Sequence, residues 1–260
     1  MEYFAFQWHI TEACDQRCKH CYIYALGSHA KFQEMALEDM VRVIENCQAF
    51  CRKAGRLPYF YLTGGDPILH PQFWQLAGLL KARGLPFAIL GNPFHLTDDV
   101  CQKLRDHGCR KYQLSLDGLR ETHDRIRRPG SYDETLAAIP LLRRAGIHVA
   151  LMATVSKWNV QEIPALVDVG VEHQADIFAF ARYCPSQADR DTTCSPWNTG
   201  PCWKPAGRSS RPTKPPGAQP PSPERTTCGP SSSTRRACSI STRPLTRTPS
   251  TTGATAATAT

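Results

Sequence analysis

The run Phe4-Ala5-Phe6-Gln7-Trp8-His9-Ile10-Thr11-Glu12-Ala13-Cys14-Asp15-Gln16-Arg17-Cys18-Lys19-His20-Cys21-Tyr22 joins a short apolar segment to three cysteines within eight residues. Phe4–Ile10 reads as a β-strand. Thiolates at Cys14, Cys18 and Cys21 are soft donors, which select iron–sulfur clusters or zinc. Three such ligands, rather than four, leave one iron of a cubane without a protein ligand. A small molecule can chelate at that open corner, so the count favours chemistry over scaffolding.

From this run outward, short apolar runs alternate with amphipathic segments as far as residue 181. Strands are expected at Phe4–Ile10, Tyr59–Thr63, Phe87–Gly91, Tyr112–Leu116, His148–Val155 and Ile177–Ala181. Helices are expected at Ala36–Lys53, Pro71–Arg83, Thr97–His107, Tyr132–Ala145 and Asn159–Gly170. Gly84, Gly108 and Gly146 fall where helices should stop, and Thr97-Asp98-Asp99 is a good helix start. Such alternation implies right-handed crossovers and a parallel sheet. The polar motifs then separate a doubly wound sheet from a barrel. The cysteines follow the first strand, Gly64-Gly65-Asp66-Pro67 the second and Asn92 the third, while Ser115-Leu116-Asp117-Gly118 lies at the fourth. Polar residues gathered at one strand edge are how a barrel builds a site, whereas a sheet gathers them only near its switch point. The expected architecture is an α/β fold, a partial (β/α)6 TIM-like barrel.

The formal charge of +8 is unevenly spread. Residues 1–184 carry 21 Lys and Arg against 20 Asp and Glu, and residues 185–260 carry 10 against 3. A near-neutral body argues against a nucleic-acid partner. No apolar run approaches a membrane span and no signal segment opens the chain, so no membrane partner is expected. Twelve cysteines without a secretion signal fit a reducing, cytoplasmic setting in which thiols serve as ligands. Cys47, Cys51, Cys101 and Cys109 read as buried cysteines rather than ligands.

Together the Cys-x3-Cys-x2-Cys after the first strand, the Gly-Gly-acid-Pro after the second and the Ser-Leu-Asp-Gly at the fourth resemble the radical S-adenosylmethionine (radical SAM) enzymes. The likeness spans roughly residues 3–184 and is greatest to the branch with a C-terminal SPASM-type auxiliary-cluster domain, which includes peptide-modifying maturases. It implies that Cys14, Cys18 and Cys21 ligate a [4Fe–4S] cluster whose fourth iron takes the amino and carboxylate groups of S-adenosylmethionine. Reductive cleavage of the cofactor would give a 5′-deoxyadenosyl radical that abstracts a substrate hydrogen, the protein supplying orientation and dryness. Gly64 and Gly65 would let the backbone approach the methionine moiety, and Asp66, where the family commonly has Glu, would accept from its ammonium. Ser115 and Asp117 would contact the carboxylate or ribose, Asn92 would lie at a similar rim position, and Arg127 matches a position that often contacts the cofactor carboxylate. A peptide or small-molecule substrate and an external low-potential electron donor are implied as partners.

Plainer readings stand beside these. The three cysteines with His9 or His20 could form a structural zinc site, making the chain a non-catalytic binding module, although zinc knuckles usually present paired Cys-x2-Cys units. A maturase acting on a small molecule is a further alternative. Tyr22 either packs over a cluster or fills core. His70, His95, His107, His123, His148 and His173 read as surface or core histidines.

The expected core is residues 1–190, followed by a Pro/Ser/Thr-rich tail over 191–260. Residues 185–260 hold 13 of the 21 prolines, one leucine and no phenylalanine or tyrosine, a composition expected to be disordered. Joining the third base of each codon to the first two of the next permits Glu-Tyr-Arg-Ala-Leu-Leu-Glu from Trp197 to Lys204, an amphipathic helix where a sixth barrel helix is due. The same operation on residues 252–260 permits Gly-Cys-His-Cys-Gly-Asn-Gly-His. The expectation is a one-base frame change that replaces the last helix and an auxiliary-cluster domain, so this product could be inactive.

Overall fold

The computed structural model describes residues 2–24 and 34–184; the expected tail over 191–260 lies outside the described residues. Six strands, β1 (Tyr3–Thr11), β2 (Leu57–Gly64), β3 (Phe87–Leu90), β4 (Cys109–Ser115), β5 (His148–Val155) and β6 (Ile177–Arg182), form one sheet. They lie side by side in chain order, and every neighbouring pair is parallel. Consecutive order without reversal rules out a doubly wound sheet, whose order turns back at a switch point. The sheet curls into a half-barrel with helices outside, as expected from the sequence.

Among the described residues six α-helices accompany it: α1 (Leu37–Lys53), α2 (Phe73–Ala82), α3 (Asp98–Asp106), α4 (Arg120–Ile126), α5 (Ser131–Arg144) and α6 (Ile163–Glu172). Five match expected segments, with ends shifted by a few residues. The expected Asn159–Gly170 helix divides into a 3₁₀ turn at Val160–Glu162 followed by α6. The short α4 has no counterpart in the sequence reading. Thr97 caps α3 by accepting from the Val100 N–H at 3.2 Å, and Asp98 and Asp99 occupy its first turn. Gly84, Gly108 and Gly146 follow α2, α3 and α5 with positive φ.

Strand alternation creates two faces. Phe60 and Leu62 of β2, Tyr112 and Leu114 of β4, and Val149, Leu151 and Ala153 of β5 are buried in the apolar core with Met40 and Ile44 of α1 and Leu142 of α5. The alternate set, including Thr63, Gln113, Ser115 and Thr154, faces a cavity. Burial of the first set leaves the second free for chemistry. Among the described residues, no helix is long and apolar enough to cross a membrane.

Candidate functional site

The cavity, about 540 Å³, opens at the C-terminal ends of the strands. Cys14, Cys18, Cys21, Gly64, Gly65, Asn92, Ser115 and Arg127 all line it. The cysteine loop, Gly64-Gly65, Asn92 and Ser115 lie at the ends of four successive strands of the sheet, whose common edge brings them together.

The Gly64-Gly65 pair serves the cysteine loop directly. A β-carbon on Gly64, whose φ is +149°, would sit 2.0 Å from the Thr11 carbonyl oxygen, and one on Gly65 would sit 2.1 Å from that of Ala13. This closeness lets the Gly65 N–H donate to the Thr11 carbonyl at 2.9 Å and the Asp66 N–H to the Ala13 carbonyl at 2.7 Å. The β2 turn is thus riveted to the backbone just before Cys14. Glu34 adds a second tie, accepting from the Thr11 hydroxyl at 2.8 Å and lying 3.2 Å from His70 Nε2.

Asp66 and Asp117 are fully buried and stand off the cavity wall. Asp66 Oδ1 accepts from the Ile68 N–H, capping the 3₁₀ turn Pro67–Leu69, while Oδ2 is buried without a hydrogen-bond partner. Burial, reinforced by the charge of Asp15, pushes its pKa up to about 7. Asp117 is opposite in character. Burial works against its charged form, but Arg127, His20 and the Thr154 N–H outweigh that and hold its pKa below the ordinary value. Arg127 Nε donates to Asp117 Oδ2 at 2.6 Å, and the Thr154 N–H donates to Oδ1 at 2.7 Å. The Asp117 backbone is fixed as well: its N–H donates to His123 Nδ1 and its carbonyl accepts from Asn159 Nδ2.

Each of two cysteines has a side-chain N–H beside its sulfur. Asn92 Nδ2 lies 3.2 Å from Cys14 Sγ and 2.6 Å from Asp15 Oδ1. Arg127 Nη1 lies 3.6 Å from Cys18 Sγ and 3.3 Å from Gln16 Oε1. Burial raises the Cys18 pKa to about 11 despite the nearby guanidinium, and raises that of Cys14 as well. The free chain therefore holds these two as thiols, and metal loading must release their protons.

Tyr22 is 69% exposed at the cavity rim, which excludes the core-filling alternative. His20 and Tyr183 line the wall edge to face, 6.0 Å between centroids, and the His20 ring lies 3.5 Å from Asp117. Gln16, Thr154 and Tyr183 were not among the expected binding residues, and His20 was named only as a possible zinc ligand. Tyr183 follows β6 as the other motifs follow their strands, so the same strand-end rule pointed to it. His123 is a core histidine as expected, while His95 lies 3.1 Å from Asp15 next to the cysteine loop. Asp15, Asp66 and His95 bring three ligand atoms within 4.8 Å of one another; the three cysteine sulfurs do not form such a group.

The Radical SAM superfamily model matches residues 8–169. The chain belongs to that superfamily. Among curated radical SAM relatives, Fe-coproporphyrin III synthase of Methanosarcina barkeri is 29% identical, the match covering 66% of this chain and 42% of the relative. Mycofactocin maturase MftC of Mycolicibacterium smegmatis is 27% identical, covering 65% and 42%. The chain thus spans less than half the length of these relatives. The structure of Streptococcus suis SuiB bound to precursor peptide SuiA shares the fold, with a TM-score of 0.58, 17% identity, and coverage of 70% of this chain and 40% of SuiB.

Proposed function

We propose that the cavity holds a [4Fe–4S] cluster on Cys14, Cys18 and Cys21, with S-adenosylmethionine beside it, and that the substrate is a peptide. Three features of the chain fit these groups. The three cysteines face one cavity, the Gly64–Gly65 wall presents backbone without side chains, and Asp66 Oδ2 is a buried acceptor left without a partner. The convergence of the three thiols on one cavity carries the assignment, because soft donors grouped in this way select an iron–sulfur centre or zinc. When bound, the pair supplies one-electron cleavage of a sulfonium carbon–sulfur bond and, from it, hydrogen abstraction from a substrate carbon.

The protein's part is positional. Asp66 lies directly behind Gly91 of the cavity wall, where a β-carbon would fall 2.9 Å from Asp66 Oδ1, so glycine leaves the approach of an amino group to that carboxylate free of a side chain. Ser115 and Asn92 offer polar atoms along the wall. Asp117 acts through Arg127, which it holds at the cavity, rather than by direct contact. An external low-potential donor supplies the electron.

The peptide reading is supported by the kinship with mycofactocin maturase MftC. Kinship with Fe-coproporphyrin III synthase, at similar identity, favours a small-molecule substrate as the second reading. Anaerobic reconstitution with iron and sulfide tests the assignment. A brown protein that bleaches with dithionite and releases 5′-deoxyadenosine from S-adenosylmethionine is expected. A colourless protein that retains zinc would overturn it.

A further inference from the structure

We infer that Asn92 and Arg127 are hydrogen-bond donors to two of the three cluster thiolates and set the reduction potential of the centre. The inference rests on the cluster assignment above. Asn92 reaches Cys14 Sγ at 3.2 Å, and Arg127 reaches Cys18 Sγ at 3.6 Å, the distances of N–H···S hydrogen bonds. Both donors are held from behind. The Asn92 carbonyl accepts from the hydroxyl of fully buried Tyr112 at 2.8 Å, and its amide also donates to Asp15. Arg127 is clamped by Asp117, itself fixed by the Thr154 N–H. Among the described residues, no side-chain donor is seen on Cys21 Sγ. The two environments differ: Cys14 meets a neutral amide and Cys18 a full positive charge.

Hydrogen bonds to sulfur and nearby charge are among the terms that set cluster potentials. A donor N–H or a cation stabilises the more negative, reduced cluster and so raises its potential. Asn92 and Arg127 act here as positioning residues toward the metal centre, not as groups that touch substrate. Asp117 belongs to the same device, because it aims the guanidinium at Cys18.

The test uses the full chain, reconstituted anaerobically, as wild type, Asn92→Ala, Asn92→Gln and Arg127→Lys. Iron and sulfide analysis comes first, and a wild-type chain without a cluster would sink the cluster assignment itself rather than this inference. With full iron, redox titration followed by electron paramagnetic resonance should show the ratio of reduced to oxidised cluster falling about tenfold at fixed potential in Asn92→Ala, about 59 mV for one electron. Arg127→Lys keeps the charge but loses the fork that spans Asp117 and Cys18, and should shift the same way. Asn92→Gln keeps an amide donor and should recover most of the ratio. Fe–S(Cys) stretching bands should move up in the two donor-loss variants. Unchanged potential and bands in whichever of those variants retains its iron would overturn the inference.

Discussion

Gly65 lies so close to Ala13 that a β-carbon on it would fall 2.1 Å from the Ala13 carbonyl oxygen and 2.8 Å from Cys14 Cβ. The glycine therefore shapes the cysteine loop before any ligand arrives. Gly65→Ala is expected to cost about 1–3 kcal/mol through overpacking against rigid backbone and to lower the iron retained after reconstitution. Gly78→Ala is the comparison, since its β-carbon meets nothing within 4 Å on α2 and should be neutral or stabilising. Urea midpoints and iron content of the two variants check this; equal behaviour would refute it.

Cys18→Ala removes one of three metal ligands. Reconstituted iron and sulfide should fall sharply and 5′-deoxyadenosine formation should cease. Cys47→Ala, on α1 away from the cavity, should leave the iron content intact. Undiminished product from Cys18→Ala would contradict the ligand assignment.

Asp66→Asn keeps the shape of the side chain and removes its charge. A hydrogen bond to a charged group is worth about 1.5–3 kcal/mol, so S-adenosylmethionine should bind the cluster-loaded variant roughly ten- to hundredfold more weakly. Equilibrium binding under anaerobic conditions measures it, and equal affinity would remove Asp66 from the site.

Arg127→Met would leave Asp117 buried, charged and without its guanidinium. Loss of one partner of a buried pair costs about 3–5 kcal/mol. Replacing both, as Asp117→Asn with Arg127→Met, should cost less than the sum of the single changes. A double-mutant cycle from urea unfolding reads the coupling, and strict additivity would show that the pair is not coupled.

His123 makes stability depend on pH. Burial first, and the Arg127 charge second, lower its pKa from 6.5 to about 4 in the folded chain. Between those values the unfolded imidazole binds more protons than the folded one, so stability falls as pH drops through the window. The loss through this group amounts to about 3 kcal/mol. Unfolding of the wild type at pH 7.5 and 4.5, compared with His123→Gln, should show the smaller acid loss in the variant. Parallel losses would exclude His123 as the cause.

Strand order and the gathering of motifs were legible because each motif follows a strand, and strand ends in a parallel βα array share an edge. The roles of individual acids were not. Asp66 and Asp117 have the same composition cue, a carboxylate after a strand, yet one carries an orphaned oxygen and the other is saturated by Arg127, Thr154 and His20. Sequence places such residues without saying which way they point. Helix α4 escaped because Arg-Glu-Thr-His-Asp-Arg-Ile offers no apolar stripe; its buried residues are Thr122, His123 and Ile126. Its worth lies in polar contacts that periodicity does not register. The Gly64-Gly65 turn was recognised, but its closest neighbour is the chain's own β1 backbone, a partner that only three dimensions reveal.

Sequential strand order has a consequence for biosynthesis. Each strand can dock on its predecessor as it leaves the ribosome, so the sheet can grow from one edge. The thiols of Cys14, Cys18 and Cys21 are made first, yet the wall containing Tyr183 is made after β6. During the interval those sulfurs face solvent, open to oxidants or to the wrong metal, and protection in that window falls to the cell rather than to the fold.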